Sequence, residues 1–195
     1  TVLRITKEKE VITTKDTYKA KAIILATGSD NRKLNIDREQ EFVGKGLSYC
    51  ATCDGNFFKE KVVAVVGGGN TALEDALYLS NIANKVYLIH RRDSFRAEDR
   101  YIQELKEKNN IEIIYNSNVT KLVGEDTLEA IVINDNQTII VSGLFVAVGQ
   151  EPKNGIFADN MCKLLPSASK IGFTGTPLFK YDNITERTFG SYVSI

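Results

Sequence analysis

The chain has 195 residues, 43% of them apolar and 26% charged, with 25 basic and 25 acidic residues and no net formal charge. This length suits one domain and part of a second. The balanced charge argues against nucleic acid or an anionic membrane as a partner, so an anion site must come from a local basic cluster. There is no stretch of the ~20 apolar residues that a membrane span needs, and no signal-peptide pattern at the N-terminus. Three cysteines, two of them in a C-x-x-C, favour a cytoplasmic redox pair over a secreted disulfide scaffold.

The first part of the chain predicts a small antiparallel sheet. Residues 2–6 and 10–13 alternate apolar and polar side chains, as expected of a hairpin. The apolar run 22–26 predicts a buried strand. Residues 29–46 are polar and rich in turn formers without a clear period, which predicts a connector between domains.

The middle of the chain alternates strand and helix patterns. Apolar, β-branched runs predict buried strands at 61–66, 85–89 and 111–115, and amphipathic patterns predict helices at 71–80 and 97–108. Short strands with polar turns follow at 119–123, 128–133 and 137–141, before a last buried strand at 144–148. This order predicts an α/β fold, a Rossmann-like parallel sheet with a β-meander.

A glycine-rich turn joins the first of these central strands to its helix. Residues 67–72 fit the pattern G-x-G-x-x-A. Gly67 suits a tight turn, Gly69 lets the backbone approach a pyrophosphate, and Ala72 lets the helix pack closely on the strand. A helix that begins near Thr71 turns its N–H groups and positive dipole end toward the phosphates. We therefore expect a dinucleotide site, the alternative being a glycine turn that binds nothing.

A basic cluster follows the second central strand. An NAD site carries Asp or Glu about 20 residues beyond the glycines, where it binds the ribose hydroxyls. This chain instead places Arg91, Arg92 and Arg96 there, together with its only histidine, His90. Guanidinium groups bind phosphate through paired hydrogen bonds, so the cluster predicts the 2′-phosphate of NADPH. The alternatives are a solvated basic face for the arginines and an ordinary strand-end residue for His90.

The cysteine pair, Cys50 and Cys53, allows three interpretations. In the first, the pair is half of a zinc site, which would need two further ligands. In the second, the cysteines are two buried structural thiols without a chemical role. The third interpretation is a redox disulfide, with one thiolate stabilised at a helix start. Asp54 adjoins the pair, where it can shuttle a proton or cap a helix. Because NADPH gives a hydride and disulfide reduction by hydride normally goes through a flavin, the redox interpretation implies a flavin.

Four motifs together resemble the bacterial low-molecular-weight thioredoxin reductases. These are A-T-G at 26–28, C-A-T-C-D-G at 50–55, the glycine turn at 67–72 and H-R-R-D-S-F-R-A at 90–97. The resemblance runs from residue 1 to about 163. It implies an NADPH domain inserted in an FAD domain, a homodimer, and thioredoxin or a similar small redox protein as substrate.

The resemblance also implies roles for individual residues. Cys50 and Cys53 would be the redox-active disulfide and Asp54 the proton donor, with no metal involved. The residues that it places at the cofactors are Thr27, Gly28, Gly67, Gly69, Asn70, Thr71, His90, Arg91, Arg92 and Arg96.

We expect the chain to divide into three parts. Residues 1–45 would be a remnant of the FAD domain with a hinge, residues 46–150 the NADPH domain with the C-x-x-C, and residues 151–195 a hinge and an atypical tail. The FAD fingerprint and the Gly-Asp motif of the family do not occur, so we expect most of the flavin site to be missing.

The tail from about residue 164 has a different resemblance. Its G-F-T-G-T-P stretch at 172–177 is similar to a segment of type I restriction enzyme motor subunits, but no Walker motif accompanies it. We expect a chimeric or misassembled gene product here, with neither ATP nor DNA binding and no core of its own, the alternative being a meaningful fusion.

The sequence thus predicts an enzyme part that serves NADPH-dependent, flavin-mediated reduction of a protein disulfide. We expect this chain to keep NADPH binding rather than the complete activity. The alternative is a stand-alone NADP-binding module without catalysis.

Overall fold

The computed structural model describes residues 1–23 and 29–152. The described residues divide into two compact units, one with residues 1–23, 29–30 and 151–152 and one with residues 31–150. The strands are β1 (Val2–Ile5), β2 (Glu10–Thr13), β3 (Thr17–Lys19), β4 (Ser29–Asn31), β5 (Leu47–Ser48), β6 (Val62–Gly67), β7 (Lys85–Ile89), β8 (Ile111–Ile114), β9 (Val119–Val123), β10 (Ala130–Ile133), β11 (Gln137–Ile140), β12 (Gly143–Ala147) and β13 (Gln150–Pro152). The helices are α1 (Glu39–Phe42), α2 (Ala51–Asp54), α3 (Asn70–Ser80) and α4 (Asp99–Lys106), with a 3₁₀ helix at Gly55–Phe58.

In the smaller unit, β1, β2 and β3 form an antiparallel sheet in that order. The predicted hairpin is confirmed, with Arg4 opposite Ile12 and Ile5 opposite Val11. Most of the strand predicted at 22–26 lies outside the described residues, so that prediction stays open. Strands β4 and β13 pair with each other in a two-stranded sheet.

The centre of the larger unit, residues 31–150, is a parallel sheet in the order β5-β12-β6-β7-β8. The predicted α/β, Rossmann-like fold is therefore confirmed. The strand order reverses between β6 and β12, because β7 and β8 extend to one side of β6 while β12 and β5 extend to the other. In open parallel sheets, ligands bind beyond the carboxyl ends of the strands at such a reversal.

Alternating residues of β6 build the two faces of this sheet. Val63 and Val65 pack against the helices α3 and α4, whereas Ala64 and Val66 pack against the meander strands β9, β10 and β11. The meander is antiparallel, in the order β11-β10-β9. The described part of this unit is thus layered as meander, parallel sheet and helices, and both faces of the sheet are buried. None of the described helices is long and apolar enough to cross a membrane.

The segment predicted as an irregular connector is more ordered than its composition indicates. It contains α1, and Phe42 at the end of that helix is 1% exposed in the core that faces the meander. Glu39 is also buried, and its carboxylate accepts the backbone N–H groups of Leu34 and Asn35, each at 2.9 Å, and the Tyr49 hydroxyl at 2.8 Å. Sequence periodicity missed this element because one short helical turn that buries a single large side chain makes no repeating pattern.

Phe42→Ala should therefore destabilise the larger unit by about 3–5 kcal/mol, because it empties a fully buried aromatic site. Urea-induced unfolding followed by circular dichroism measures this loss. The neighbouring Val43 is 42% exposed, so Val43→Ala is the matched control and should cost less than about 1 kcal/mol. Equal effects of the two substitutions would show that the segment before β5 does not belong to the core.

Candidate functional site

The turn at 67–69 leaves β6 at the strand-order reversal and is closely packed. An added Cβ at Gly67 would lie 2.6 Å from the Cβ of Ala72 and closer still to the carbonyl oxygen of Ala147 at the end of β12. The φ of Gly67 is +157°, which side-chain-bearing residues rarely adopt. The absence of a side chain at Gly67 therefore lets β6, β12 and α3 meet at one point.

Gly69 opens α3 and faces empty space. Its carbonyl oxygen accepts the N–H groups of Ala72 at 3.1 Å and Leu73 at 3.3 Å, so the helix proper begins directly after it. An added Cβ at Gly69 would meet no atom within 4 Å. No atom therefore fills the space where a Gly69 side chain would lie, beside the helix end whose dipole favours an anion.

Asn70 links the start of α3 to the start of α4. Its Nδ2 donates to Oε1 of Glu98 at 3.0 Å, and its Oδ1 accepts the Glu98 N–H at 2.9 Å. This pair holds the loop that precedes α4 against the glycine turn. Thr71, the next residue, is exposed at the same helix end. Contact of Asn70 and Thr71 with a pyrophosphate remains a proposal.

His90 lies directly beneath Gly68. The residue is 6% exposed, and an added Cβ at Gly68 would overlap its ring, lying 2.6 Å from Nε2. Nε2 is 2.9 Å from the carbonyl oxygen of Ser94, and because a carbonyl oxygen only accepts, this nitrogen carries the proton. His90 thus closes the basic loop on itself, a structural role that the sequence alone did not reveal.

The basic loop is also bonded directly to the glycine turn. The Arg96 N–H donates to the carbonyl oxygen of Gly68 at 2.8 Å. The side chains of Arg91, Arg92 and Arg96 are exposed. Asp93, the carboxylate inside the loop, accepts the hydroxyl of Ser94 at 3.0 Å. The backbone bond from Arg96 therefore ties the loop that carries the three exposed arginines to the glycine turn.

Aromatic rings continue outward from His90. Its ring centroid is 5.3 Å from that of Phe95, which is 5.1 Å from that of Tyr115. Tyr115 directly follows β8 and is 38% exposed. Neither Phe95 nor Tyr115 was predicted as a site residue, since their rings meet only through strand pairing in the folded sheet.

The helices beside the turn carry acidic groups. Tyr101 on α4 donates its hydroxyl to Glu74 on α3, and burial together with this carboxylate raises the pKa of Tyr101 to about 12. Burial, and then the charge of Glu74, raises the pKa of Asp75 to about 7. Asp75 therefore carries only part of its negative charge near neutral pH.

Cys50 and Cys53 are joined in a disulfide, with their Cα atoms 5.3 Å apart. Of the three interpretations of the pair, this arrangement matches the redox disulfide. Cys50 caps α2, because its Sγ accepts the Cys53 N–H at 3.2 Å. Cys53 is exposed, so a partner thiol can reach it. The described residues contain no group of three His, Cys, Asp or Glu side chains that could hold a metal ion.

Ser48, at the end of β5, connects this disulfide to Asp54. Its Oγ accepts the Cys50 N–H at 3.0 Å and donates to Oδ2 of Asp54 at 2.6 Å. Ser48 is 5% exposed, so this hydroxyl holds the carboxylate in place from inside the protein. Asp54 precedes the 3₁₀ helix but makes no capping bond to it. Sequence reasoning found Asp54 and missed Ser48.

The glycine turn and the disulfide both lie at the carboxyl edge of the parallel sheet. The glycine turn follows β6 and the disulfide follows β5, which is two strands away in a parallel sheet. With a strand spacing of about 4.8 Å, the two strand ends are separated by roughly 10 Å. Thr27 and Gly28, expected at the cofactor, and Cys162 lie outside the described residues.

A family model described as pyridine nucleotide-disulphide oxidoreductase matches residues 1–169. The chain belongs to this family. Thioredoxin reductase from Buchnera aphidicola (subsp. Schizaphis graminum) is 45% identical over 156 residues, which cover 74% of this chain and 49% of the relative. Thioredoxin reductase from Escherichia coli O157:H7 is 45% identical over 150 residues, covering 72% and 47%. The chain spans about half the length of these curated relatives.

Solved structures agree with these relatives. The thioredoxin reductase from Streptococcus pyogenes MGAS5005 has a TM-score of 0.70 at 32% identity and covers 89% of this chain and 58% of that one. The Lactococcus lactis enzyme has a TM-score of 0.68 at 34% identity, with coverages of 86% and 56%. The predicted resemblance to low-molecular-weight thioredoxin reductases is confirmed, and enzymes of that family use FAD and NADPH. The likeness of the tail to motor subunits lies outside the described residues and stays a prediction.

In this member of the oxidoreductase family, Gly68→Ala should destabilise the fold by about 1–3 kcal/mol, because the new methyl group overlaps the buried His90 ring. The free energy of unfolding in urea measures the effect. Gly69→Ala is the matched control, since its methyl group enters open space, and should change stability by less than about 1 kcal/mol. Equal stabilities of the two variants would show that His90 does not pack beneath the turn.

Proposed function

We propose that this chain supplies the NADPH-binding and disulfide-bearing part of a thioredoxin reductase. The observation that supports the proposal is the bond from the Arg96 N–H to the Gly68 carbonyl, which connects the loop with three exposed arginines to the glycine turn. The residues fit the nucleotide, because its pyrophosphate needs helix N–H groups and its 2′-phosphate needs cationic donors.

The residues that follow β7 favour NADPH over NADH. His90 occupies the end of β7, where an NAD-specific site carries an acid, and its ring is used to hold the loop. The arginines in turn match the additional dianion of NADPH. Asp93 is the acidic side chain of the basic loop, and its carboxylate accepts a hydrogen bond from the hydroxyl of Ser94 in the same loop.

The disulfide is the electron acceptor in the proposed reaction. NADPH and one proton reduce the Cys50–Cys53 bond to two thiols and leave NADP⁺, which balances both electrons and both hydrogens. FAD, when bound in the complete enzyme, supplies the transfer of electrons from the nicotinamide to the disulfide. Asp54 is the group that holds and delivers the proton, in a position fixed by the Ser48 hydroxyl.

The substrate proposed for the reduced pair is thioredoxin or a similar small redox protein. Exposed Cys53 can attack a substrate disulfide, and Phe57, 74% exposed in the following 3₁₀ helix, offers an apolar contact to the same partner. We further propose a homodimer and a cytoplasmic location, where a thiol–disulfide cycle driven by NADPH is in keeping with the reducing environment.

The test of nucleotide choice is Arg91→Ala. This substitution should weaken NADPH binding about 10-fold and leave NADH binding unchanged, because only NADPH carries the 2′-phosphate. Titration of the chain with each nucleotide, followed by the fluorescence of the reduced nicotinamide, measures both affinities.

Two further variants sharpen this test. Lys121→Ala, which removes an exposed charge from β9, should change neither affinity. Gly69→Ala should weaken both nucleotides alike, because its methyl group fills the space that the shared pyrophosphate would occupy. Equal affinities of the unaltered chain for NADPH and NADH would contradict the assignment.

A further inference from the structure

A row of three rings leads from the glycine turn to the surface of the larger unit. Its inner end is His90, buried beneath Gly68, and its outer end is Tyr115, with Phe95 between them. Tyr115 is the exposed member of the row at 38%, and Phe95 supports one side of its ring. The row thus ends in a tyrosine that is held from behind and accessible from outside.

Backbone hydrogen bonds hold Tyr115 next to the basic loop. The His90 N–H donates to the carbonyl oxygen of Ile114, and the Ser117 N–H donates to that of His90. The Asn116 N–H donates to the carbonyl oxygen of Arg92 at 3.1 Å. Pairing of β7 with β8 therefore continues past the ends of both strands, which holds the backbone of Tyr115 beside the basic loop.

The order of strands predicts what lies over Tyr115. The proposed pyrophosphate site follows β6, and the proposed 2′-phosphate site follows β7, one strand further out. The adenine base is attached to the ribose that carries the 2′-phosphate. Because the nucleotide runs across the strand ends, the base falls one strand further out again, at the end of β8. Tyr115 occupies that place.

We propose that Tyr115 is the platform on which the adenine base of the nucleotide stacks. A purine presents a flat π-face to any aromatic ring, and this contact does not require a hydrogen bond from the phenol. The inference rests on the proposed function, since it assumes that the turn and the arginines bind the phosphates. It adds a residue that contacts the base, because the phosphate contacts alone do not recognise the base.

Adenosine 2′,5′-bisphosphate is the probe, because it carries the base and two phosphates but no nicotinamide. Calorimetric titration should show that Tyr115→Phe binds it within about 2-fold of the unaltered chain, whereas Tyr115→Ala binds it at least about 5-fold more weakly. Tyr115→Leu should lose affinity to a similar degree as Tyr115→Ala, because leucine still packs on Phe95 but has no π-face. Equal affinities across these variants would overturn the proposal.

Tyrosine fluorescence gives a second readout that a purely structural role would not change. The chain has eight tyrosines and no tryptophan, so its emission reports on tyrosine alone. Stacking of adenine should quench part of that emission in the unaltered chain, and Tyr115→Phe should lose the quenching while it keeps the affinity. Tyr18→Phe, which removes an exposed tyrosine from β3, should keep both. Undiminished quenching in Tyr115→Phe would show that the base does not contact Tyr115.

The two proposals fail in different ways. If the unaltered chain does not bind adenosine 2′,5′-bisphosphate at all, the proposed nucleotide site is wrong and the stacking proposal falls with it. If the unaltered chain binds the probe and Arg91→Ala weakens it, but Tyr115→Ala does not, the nucleotide site stands and only the adenine platform is overturned.

Discussion

The contact between the Gly68 backbone and the His90 ring is the constraint on which this site depends. A side chain larger than hydrogen at position 68 has no room, because the imidazole fills that space. The ring in turn holds the Ser94 carbonyl, and the Gly68 carbonyl holds the Arg96 N–H. One tight contact therefore sets the distance between the turn at the end of β6 and the arginines that follow β7.

The parallel sheet explains how the larger unit brings the proposed nucleotide site and the disulfide to the same edge. Carboxyl ends of parallel strands lie at the same edge, so the residues after β5, β6, β7 and β8 gather there. The two-sided burial of the sheet keeps these ends fixed relative to each other. Ser48 shows the same principle on a smaller scale, since a buried residue at a strand end positions Asp54 beside the disulfide.

Local sequence patterns predicted the fold well where runs of residues repeat. The strand runs, the helix α3 and the glycine turn all follow from periodicity and from the small residues that tight packing requires. Contacts between distant residues were missed: Phe42 in the core, the Asn70–Glu98 pair, and the row from His90 to Tyr115. His90 illustrates the limit, because the sequence left open whether it binds phosphate or is an ordinary strand-end residue, and its packing against Gly68, which follows another strand, exists only in the folded sheet. Partners of this kind are fixed by strand pairing and helix packing, which no local window contains.

The central claim is that one site on this chain binds the pyrophosphate and the 2′-phosphate of NADP⁺ together. ³¹P nuclear magnetic resonance tests it directly, because the two kinds of phosphorus give separate signals from the same molecule. Addition of the chain to NADP⁺ should shift or broaden both the pyrophosphate signals and the 2′-phosphate signal at the same protein concentration. A 2′-phosphate signal that stays unchanged while the pyrophosphate signals respond, or no response from either, would contradict the account.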